Sequence, residues 1–351
     1  MRNFSLSALL LILTVCTAPA QTQTTITRIA FGSCGHQDEK QPVLDLVTRY
    51  KPDMFIYLGD NIYGDTRDMK VLKEKYDKLG AKPEYQRLKA ATRIYATWDD
   101  HDYGENDAGR HYPFKEESKK IFLDFFEDPA NSVRRFHDGV YASVAFGNWG
   151  KRVQVILLDT RTFRDDLLPY KGGVKNDPRY FYQLDYAPHT SKDSTILGKE
   201  QWKWLEEQLM QPADVRIIAS STQFGAEYNG YEAWANFPAE QQRLFDLIKK
   251  TQANGVIFIS GDVHYSEISM IKKDGFYPVY DFTSSGITSK WHFATPNKNR
   301  IEGPVMENHF GLITFDWDPK NPTAKLECID VNNNPRFEYV IPLKSLLFGL
   351  E

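Results

Sequence analysis

Apolar residues fall along this chain in short runs of two periods, and several of the runs close on a cluster of polar side chains. Ile26 to Phe31 has strand character and stops at Gly32-Ser33-Cys34-Gly35. Pro42 to Tyr50 follows, with Val43, Leu44, Leu46 and Val47 on one side, the spacing of a helix. Met54 to Leu58 predicts a second strand, closed by Gly59-Asp60. Met69 to Lys89 is a charged, mostly helical segment, and Arg93 to Thr97 a third strand that ends at Trp98-Asp99-Asp100-His101-Asp102. Glu116 to Phe126 reads as a helix. Tyr141 to Phe146 and Val153 to Leu158 predict paired strands, the second ending at Asp159. A helix from Leu197 to Leu209 precedes a strand from Val215 to Ala219, which runs into Ser220-Ser221-Thr222-Gln223. A helix from Ala239 to Lys250 precedes a strand from Val256 to Ile259, which runs into Ser260-Gly261-Asp262-Val263-His264. No element is assigned between 265 and 310. Gly311 to Asp316, Ala324 to Val331 and Tyr339 to Pro342 predict antiparallel strands. The stretch 160–194 is long for a structureless connection, so a functional rim or lid is expected there. Strands that alternate with helices and then accumulate predict a layered α/β domain with some antiparallel pairing.

The first twenty residues carry a different pattern. Arg2 gives a positive start, Leu6 to Val15 is apolar, and Ala18-Pro19-Ala20 offers small residues before Gln21. This predicts a secretory signal peptide cut after Ala20, and so a secreted or periplasmic protein. The apolar run is too short for a membrane span, which needs about 20 residues. A buried N-terminal helix and a lipid-modified Cys16 are the alternatives. Bulky Val15 stands against the second, where a lipoprotein signal has a small residue. The remainder, 21–351, is expected to form one domain. Once the signal is removed the cysteines are Cys34 and Cys328, in different contexts, and two unpaired thiols are expected.

Composition changes the picture only by exclusion. The hydrophobic fraction is 41% over 351 residues, enough for a sizeable core. The net charge is -4 and no long Lys/Arg run is present, so there is no case for nucleic-acid binding. The oligomeric state is not legible.

The candidate chemistry lies where strands end. Six predicted strands close on Cys34, Asp60-Asn61, Asp100-His101-Asp102, Asp159 with Arg161, Gln223, and Asp262 with His264. Loops beyond the carboxyl ends of strands are where α/β folds gather ligand sites. Any one of these clusters alone is an ordinary turn, because Asp, Asn and Gly dominate turns. As a set they supply thiol, carboxylate, amide and imidazole groups, the inventory of a metal site.

Gly59-Asp60-Asn61-Ile62-Tyr63, Asp99-Asp100-His101-Asp102 and Gly261-Asp262-Val263-His264 resemble variants of the calcineurin-like metallophosphoesterase motifs. The departures run together. Cys34 stands at the first ligand motif, Tyr63 replaces a second Asp, Asp100 replaces Asn, and Asp262 replaces a His. With Phe31-Gly32-Ser33-Cys34 ahead of it, this set is similar to the alkaline phosphatase D family, in order from about Ile29 to Ser266. The resemblance implies a four-layer α/β/β/α sandwich and a two-metal phosphoesterase. Many members also carry an extra N-terminal β domain, for which the early first strand leaves no room here.

What the resemblance implies for single residues follows its motifs. Asp60 would bridge two cations. Cys34, Tyr63 and His264 would complete the first, whose thiolate and phenolate donors suit ferric iron. Asp100 and Asp262 would complete the second, suited to calcium, with magnesium, manganese and zinc as further possibilities. Gln223 matches a lone-His ligand position loosely, and Thr222 or a backbone carbonyl could take its place. His101 is placed as the catalytic acid, against the plain alternative of a histidine packed beside Trp98. Arg161 matches a family Arg and is placed on a phosphate oxygen, against pairing with Asp159 or Asp165. Asn61 is a further substrate contact. The substrate is a small-molecule or polymer phosphoester, with a phosphodiester or phospholipid as the second reading. Two rival readings remain from the residues alone: a metal-independent glycosidase using two of Asp60, Asp100 and Asp262, and a metal-binding surface protein without turnover. Asn106-Asp107, His292, His309 and the aromatic stretch Tyr228 to Trp234 are weaker candidates.

Overall fold

The structure, a computed structural model, describes residues 24–173 and 177–349. The expected signal segment and Cys16 lie outside the described residues. The first half of the chain runs β1 (Arg28–Gly32), α1 (Pro42–Arg49), β2 (Met54–Leu58), α2 (Met69–Gly80), α3 (Pro83–Ala91), β3 (Arg93–Thr97), α4 (Asp100–Tyr103), α5 (Lys115–Phe125), β4 (Ala142–Phe146), β5 (Val153–Leu157), β6 (Leu168–Pro169) and β7 (Tyr186–Ala187). The second half runs α6 (Gly198–Leu209), β8 (Val215–Ser220), α7 (Pro238–Thr251), β9 (Val256–Ser260), β10 (Ser266–Ile271), β11 (Val279–Ser284), β12 (Arg300–Val305), β13 (His309–Asp316), β14 (Thr323–Asp330) and β15 (Pro335–Pro342).

Two mixed sheets carry the molecule. One has the order β15-β14-β13-β1-β2-β3, the other β12-β10-β11-β9-β8-β5-β4. Because side chains alternate across a strand, β1 sends Ile29 and Phe31 to the inter-sheet core and Ala30 to the helix side, with Val43 of α1 and Phe122 of α5. Phe31 meets Phe282 of the facing sheet edge-on at 4.9 Å. On the outer face of the second sheet, Leu205 of α6 and Leu244 of α7 are buried. The layers are therefore helix, sheet, sheet, helix, the architecture that the motifs implied. β1, β2 and β3 are mutually parallel, as are β5, β8 and β9. The polar clusters of each sheet thus gather at one edge of it.

The short α4 and the paired β6 and β7 lie where the sequence assigns no element, and two longer stretches also differ from expectation. The helical segment over 69–89 is broken in two, because Pro83 holds Lys82 extended at ψ 130°. Three strands occupy 266–305, where none is assigned from the sequence. In β10 and β11, Ile268 and Phe282 face the other sheet, but the opposite face carries Glu267, Ser269, Asp281 and Thr283, all buried, so polar residues fill positions that burial would otherwise mark as apolar. Glu267 is instead paired with Arg300 and bonded to Asn297 at 2.6 Å. Asp281 accepts from the Phe224 and Gly225 amides at 2.8 and 2.7 Å. The cysteines behave as expected: Cys34 and Cys328 are both free and buried.

Candidate metal centre and active site

The strand-end turns are wound into backbone that side chains seldom adopt. Cys34, Asp60, Asp262 and His264 have φ of 60°, 47°, 76° and 58°. Non-glycine residues in this region cost about 1–3 kcal/mol each and collect at functional sites. Gly59, at φ 102°, is a glycine for a second reason: a Cβ there would sit 2.5 Å from the Cβ of Asp99. Its absence lets the β2 turn lie directly against the β3 turn.

The turns bring the predicted ligands together. The Cys34 thiol lies 3.3 Å from Asp60 Oδ2 and 3.0 Å from Ser285 Oγ. The Tyr63 hydroxyl lies 3.2 Å from His264 Nε2 and 2.8 Å from Ser289 Oγ. Ligand atoms of Cys34, Asp60 and His264 all fall within 4.8 Å of one another. So do those of Asp60, Asp99 and Asp262, and those of Asp60, Asp100 and His101. Asp60 is common to the three groups, the position a bridging carboxylate needs.

Charge in this region is out of balance, and that is the test of whether cations fit. Asp60, Asp99, Asp100 and Glu232 are buried and Asp262 is half-buried, and the buried guanidiniums beside them are Arg161 and Arg164. Burial, reinforced by neighbouring negative charge, holds Asp60 and Asp262 well above the carboxylate range. Asp99 is pushed up to about 8, by burial ahead of any charge effect. Burial pushes the Cys34 thiol up to about 12. Burial also lowers His264 to about 4, which keeps its imidazole neutral and able to ligate. Asp60 Oδ1, Asp99 Oδ2 and Asp100 Oδ1 are buried without a hydrogen-bond partner. Orphaned carboxylate oxygens beside a thiol, in a region short of positive charge, fit divalent or trivalent cations.

Asp102 holds the turns in place. It accepts from the Asp60 and Asp99 amides at 3.2 and 2.7 Å, from Asn61 Nδ2 at 2.5 Å and from the Tyr76 hydroxyl at 3.0 Å. Asn61 is buried and donates to Asp102 and to the Thr97 carbonyl, so it serves the turn rather than the cavity. His101 lines the cavity, and its Nδ1 is 2.7 Å from Asp65. Burial disfavours the imidazolium there, but the Asp65 hydrogen bond and the charges of Asp100, Asp65 and Asp99 outweigh it and raise the group to about 9.

Arg161 does not take the expected position. Its side chain is 0% exposed and is spent on Asp99, with Nε at 2.6 Å, and on Glu232, with Nη1 at 2.8 Å. It compensates the carboxylates from behind instead of reaching into the cavity. Asp159, the partner weighed from the sequence, caps its own turn, accepting from the Arg161 and Thr162 amides. Gln223 does not line the cavity either. Its Nε2 donates to Glu267 and Thr283, and its Oε1 has no hydrogen-bond partner.

The cavity beside the clusters measures about 270 Å³. Its walls include Asp60, Asp100, His101, Asp262 and His264, joined by Asp107 and Asp185. A larger cavity of about 630 Å³ lies by Tyr95 and Trp204 and holds none of the clustered ligands, so size does not select the site. Residues that sequence reasoning did not single out are Asp99, Asp65, Ser285, Ser289 and Glu232. Asp99 carried a signal, its place beside Asp100. Glu232 lies within the aromatic stretch Tyr228 to Trp234, and Asp65, Ser285 and Ser289 come from loops without pattern.

Two packed mixed sheets with these ligand types at their strand ends are the framework of a metallophosphoesterase. The chain matches the PhoD-like phosphatase family over residues 29–309 and belongs to it. It is 25% identical over 299 residues to alkaline phosphatase D of Bacillus subtilis (strain 168), covering 74% of this chain and 48% of that protein. The chain thus spans about half the length of this curated relative. In fold it is similar to the solved structure of PhoD, with a TM-score of 0.67, 19% identity and coverage of 93% of this chain and 70% of that one. It is also similar to a dimetal phosphatase from Danio rerio, with a TM-score of 0.51, 12% identity and coverage of 91% and 100%. A third likeness is to GAP50, the anchor in the inner membrane complex of Plasmodium, at a TM-score of 0.55, 11% identity and coverage of 93% and 90%. Among the described residues no helix is long and apolar enough to cross a membrane.

Proposed function

We propose that this protein is an exported phosphoester hydrolase that uses two metal ions. The observation that supports it most is the position of Asp60, shared by a thiol–imidazole group on one side and by carboxylate groups on the other. Cys34, Tyr63 and His264 with Asp60 would hold ferric iron, for which thiolate and phenolate are strong donors. Asp262 and Asp100, with Asp99 as the added candidate, would hold calcium or a related hard cation beside Asp60. Such ions supply Lewis-acid screening of the phosphate's charge and an activated water. The chain's own residues do the rest. Asp65 orients His101 through Nδ1, which leaves Nε2 to give a proton to the departing oxygen. Tyr186, Tyr231 and Trp291 form the cavity wall beyond the ligands.

Metal analysis of the purified protein, followed by a panel of mono- and diesters, tests this reading. Cys34→Ser keeps the size but removes the soft anionic donor, so iron content and the colour of the concentrated protein should fall together. Asp100→Ala should deplete the second ion and leave the iron. A colourless protein with equal zinc at both positions, indifferent to Cys34→Ser, would reduce Cys34 to a turn residue.

His101→Ala should keep both metals and lower kcat by about 100- to 10,000-fold, the usual contribution of a general acid. The loss should shrink for esters with good leaving groups, which need no proton. Loss of metal along with the histidine would make His101 a ligand, as its place beside Asp60 and Asp100 allows.

A further inference from the structure

The cavity has two unlike halves. The inner half is the ligand cluster. The outer half is aromatic and acidic: Tyr186, Tyr231 and Trp291 with Asp107 and Asp185. Among the described residues no Lys or Arg lines it. A separate cavity of about 610 Å³ is lined by Arg110, Lys115, Lys192, Lys199 and Arg243, with Asp193 and Glu240.

The aromatic half is a built corner. Tyr231 and Trp291 stand at 64° to each other with centroids 4.9 Å apart. Phe293 stacks behind Trp291 at 5.2 Å, and Tyr182 stacks on Tyr231 at 5.2 Å. The corner is tied to the ligand cluster, because the Trp291 amide donates to the His264 carbonyl at 3.3 Å and the two rings lie 6.0 Å apart. The Tyr186 hydroxyl donates to Asp107, which sets a carboxylate on the facing wall.

Ring faces carry negative quadrupole charge, and carboxylates add to it. A pocket made of both attracts a cation and repels an anion. Metal ions would neutralise Asp60, Asp100 and Asp262, but exposed Asp185 belongs to none of these ligand groups and leaves a carboxylate at the outer half. Further phosphates or a carboxylate on the substrate would be opposed there. An alkylammonium group would be held against the Trp291 and Tyr231 faces.

We propose that the organic part of the substrate is an aminoalcohol, so that the cavity takes phosphoesters bearing an ammonium group a short alkyl chain away from phosphorus. This rests on the phosphoesterase reading. In the reaction, water's oxygen forms the new bond to phosphorus and the P–O bond to the organic group breaks. The departing alkoxide oxygen takes one proton, and the ammonium charge is unchanged throughout.

The test compares choline phosphate with 3,3-dimethylbutyl phosphate, which has the same shape without the charge, and with 2-carboxyethyl phosphate, which is anionic. The expected order of kcat/KM is choline, then neutral, then anionic. The first step should be about 2- to 30-fold, the range of a cation against aromatic faces. Trp291→Leu should bring the choline-to-neutral ratio close to one. Should that variant not fold, exposed Asp185→Asn, which removes charge but not shape, should lower the ratio by itself. Equal or better turnover of the neutral ester overturns the proposal and leaves the phosphoesterase reading standing. No turnover of these esters or of p-nitrophenyl mono- and diesters defeats that reading instead. In that event calorimetry still decides the pocket: choline should bind the metal-loaded protein more tightly than 3,3-dimethylbutan-1-ol, and equal affinity overturns the proposal. Glycerophosphocholine and phosphatidylcholine vesicles, compared at equal concentration, tell a soluble ester from a membrane headgroup.

Discussion

Asp60→Ala should abolish activity and empty both metal positions at once. Asp60 is the residue common to every ligand group in the centre, and its Oδ1 is buried without a partner. A metal pair supplies several kcal/mol of charge stabilisation, and each 1.36 kcal/mol is tenfold in rate. kcat/KM should therefore fall about a thousandfold or more. Metal analysis should show losses at both positions, unlike the one-sided losses of Cys34→Ser and Asp100→Ala. The chelated proteins should show the opposite order of stability. Without cations Asp60 is a buried carboxylate among like charges, held well above its usual pKa by burial and by Cys34 and Asp100. Removing it should raise the melting temperature of the stripped protein while it destroys the function, the usual trade at an active site. A variant that keeps one full metal position would show that Asp60 serves only one ion.

Arg161→Met should unfold or severely weaken the protein rather than merely loosen substrate binding. The guanidinium has no exposure and faces Asp99 and Glu232, with Asp100 at 3.7 Å. Breaking a buried ion pair from one side leaves the partners uncompensated and costs about 3–5 kcal/mol. Denaturant unfolding of R161M should show a loss of that size. Glu232→Gln in the same chain should restore part of it, because it removes one of the stranded charges. A phosphate contact would behave differently: KM would rise and stability would hold. That second pattern would return Arg161 to the substrate.

The centre was legible because its motifs are local. Gly59-Asp60, Asp99-Asp100-His101-Asp102 and Gly261-Asp262-Val263-His264 each sit on one turn after one strand. A turn's position is marked by where the apolar run stops. What each residue in a motif does was less legible. Asp99 and Asp100 are adjacent, and only the folded turns reveal that Asp99 groups with Asp262 while Asp100 groups with His101. Asn61 and Arg161 have the chemistry of phosphate contacts. Their burial, decided by Asp102, Asp99 and Glu232, gives them positioning work.

By itself the chain's pattern determined the order of the main strands and helices through β9, apart from the break between α2 and α3 and the short α4, β6 and β7, together with the layered α/β class, the strand-end placement of the candidate ligands and two unpaired thiols. These follow from period, punctuation and residue type, all short-range properties. Tertiary structure alone decided the rest. The three strands over 266–305 are held by buried polar pairs such as Glu267 with Arg300, and a polar partner thirty residues away leaves no periodic mark. The aromatic wall is assembled from Tyr186 in the short β7 and from Tyr231 and Trp291 in two separate loops. These segments have no shared spacing in the chain. They meet only because the two sheets bring their carboxyl ends to one side of the sandwich, and that meeting gives the cavity its acidic, aromatic outer half.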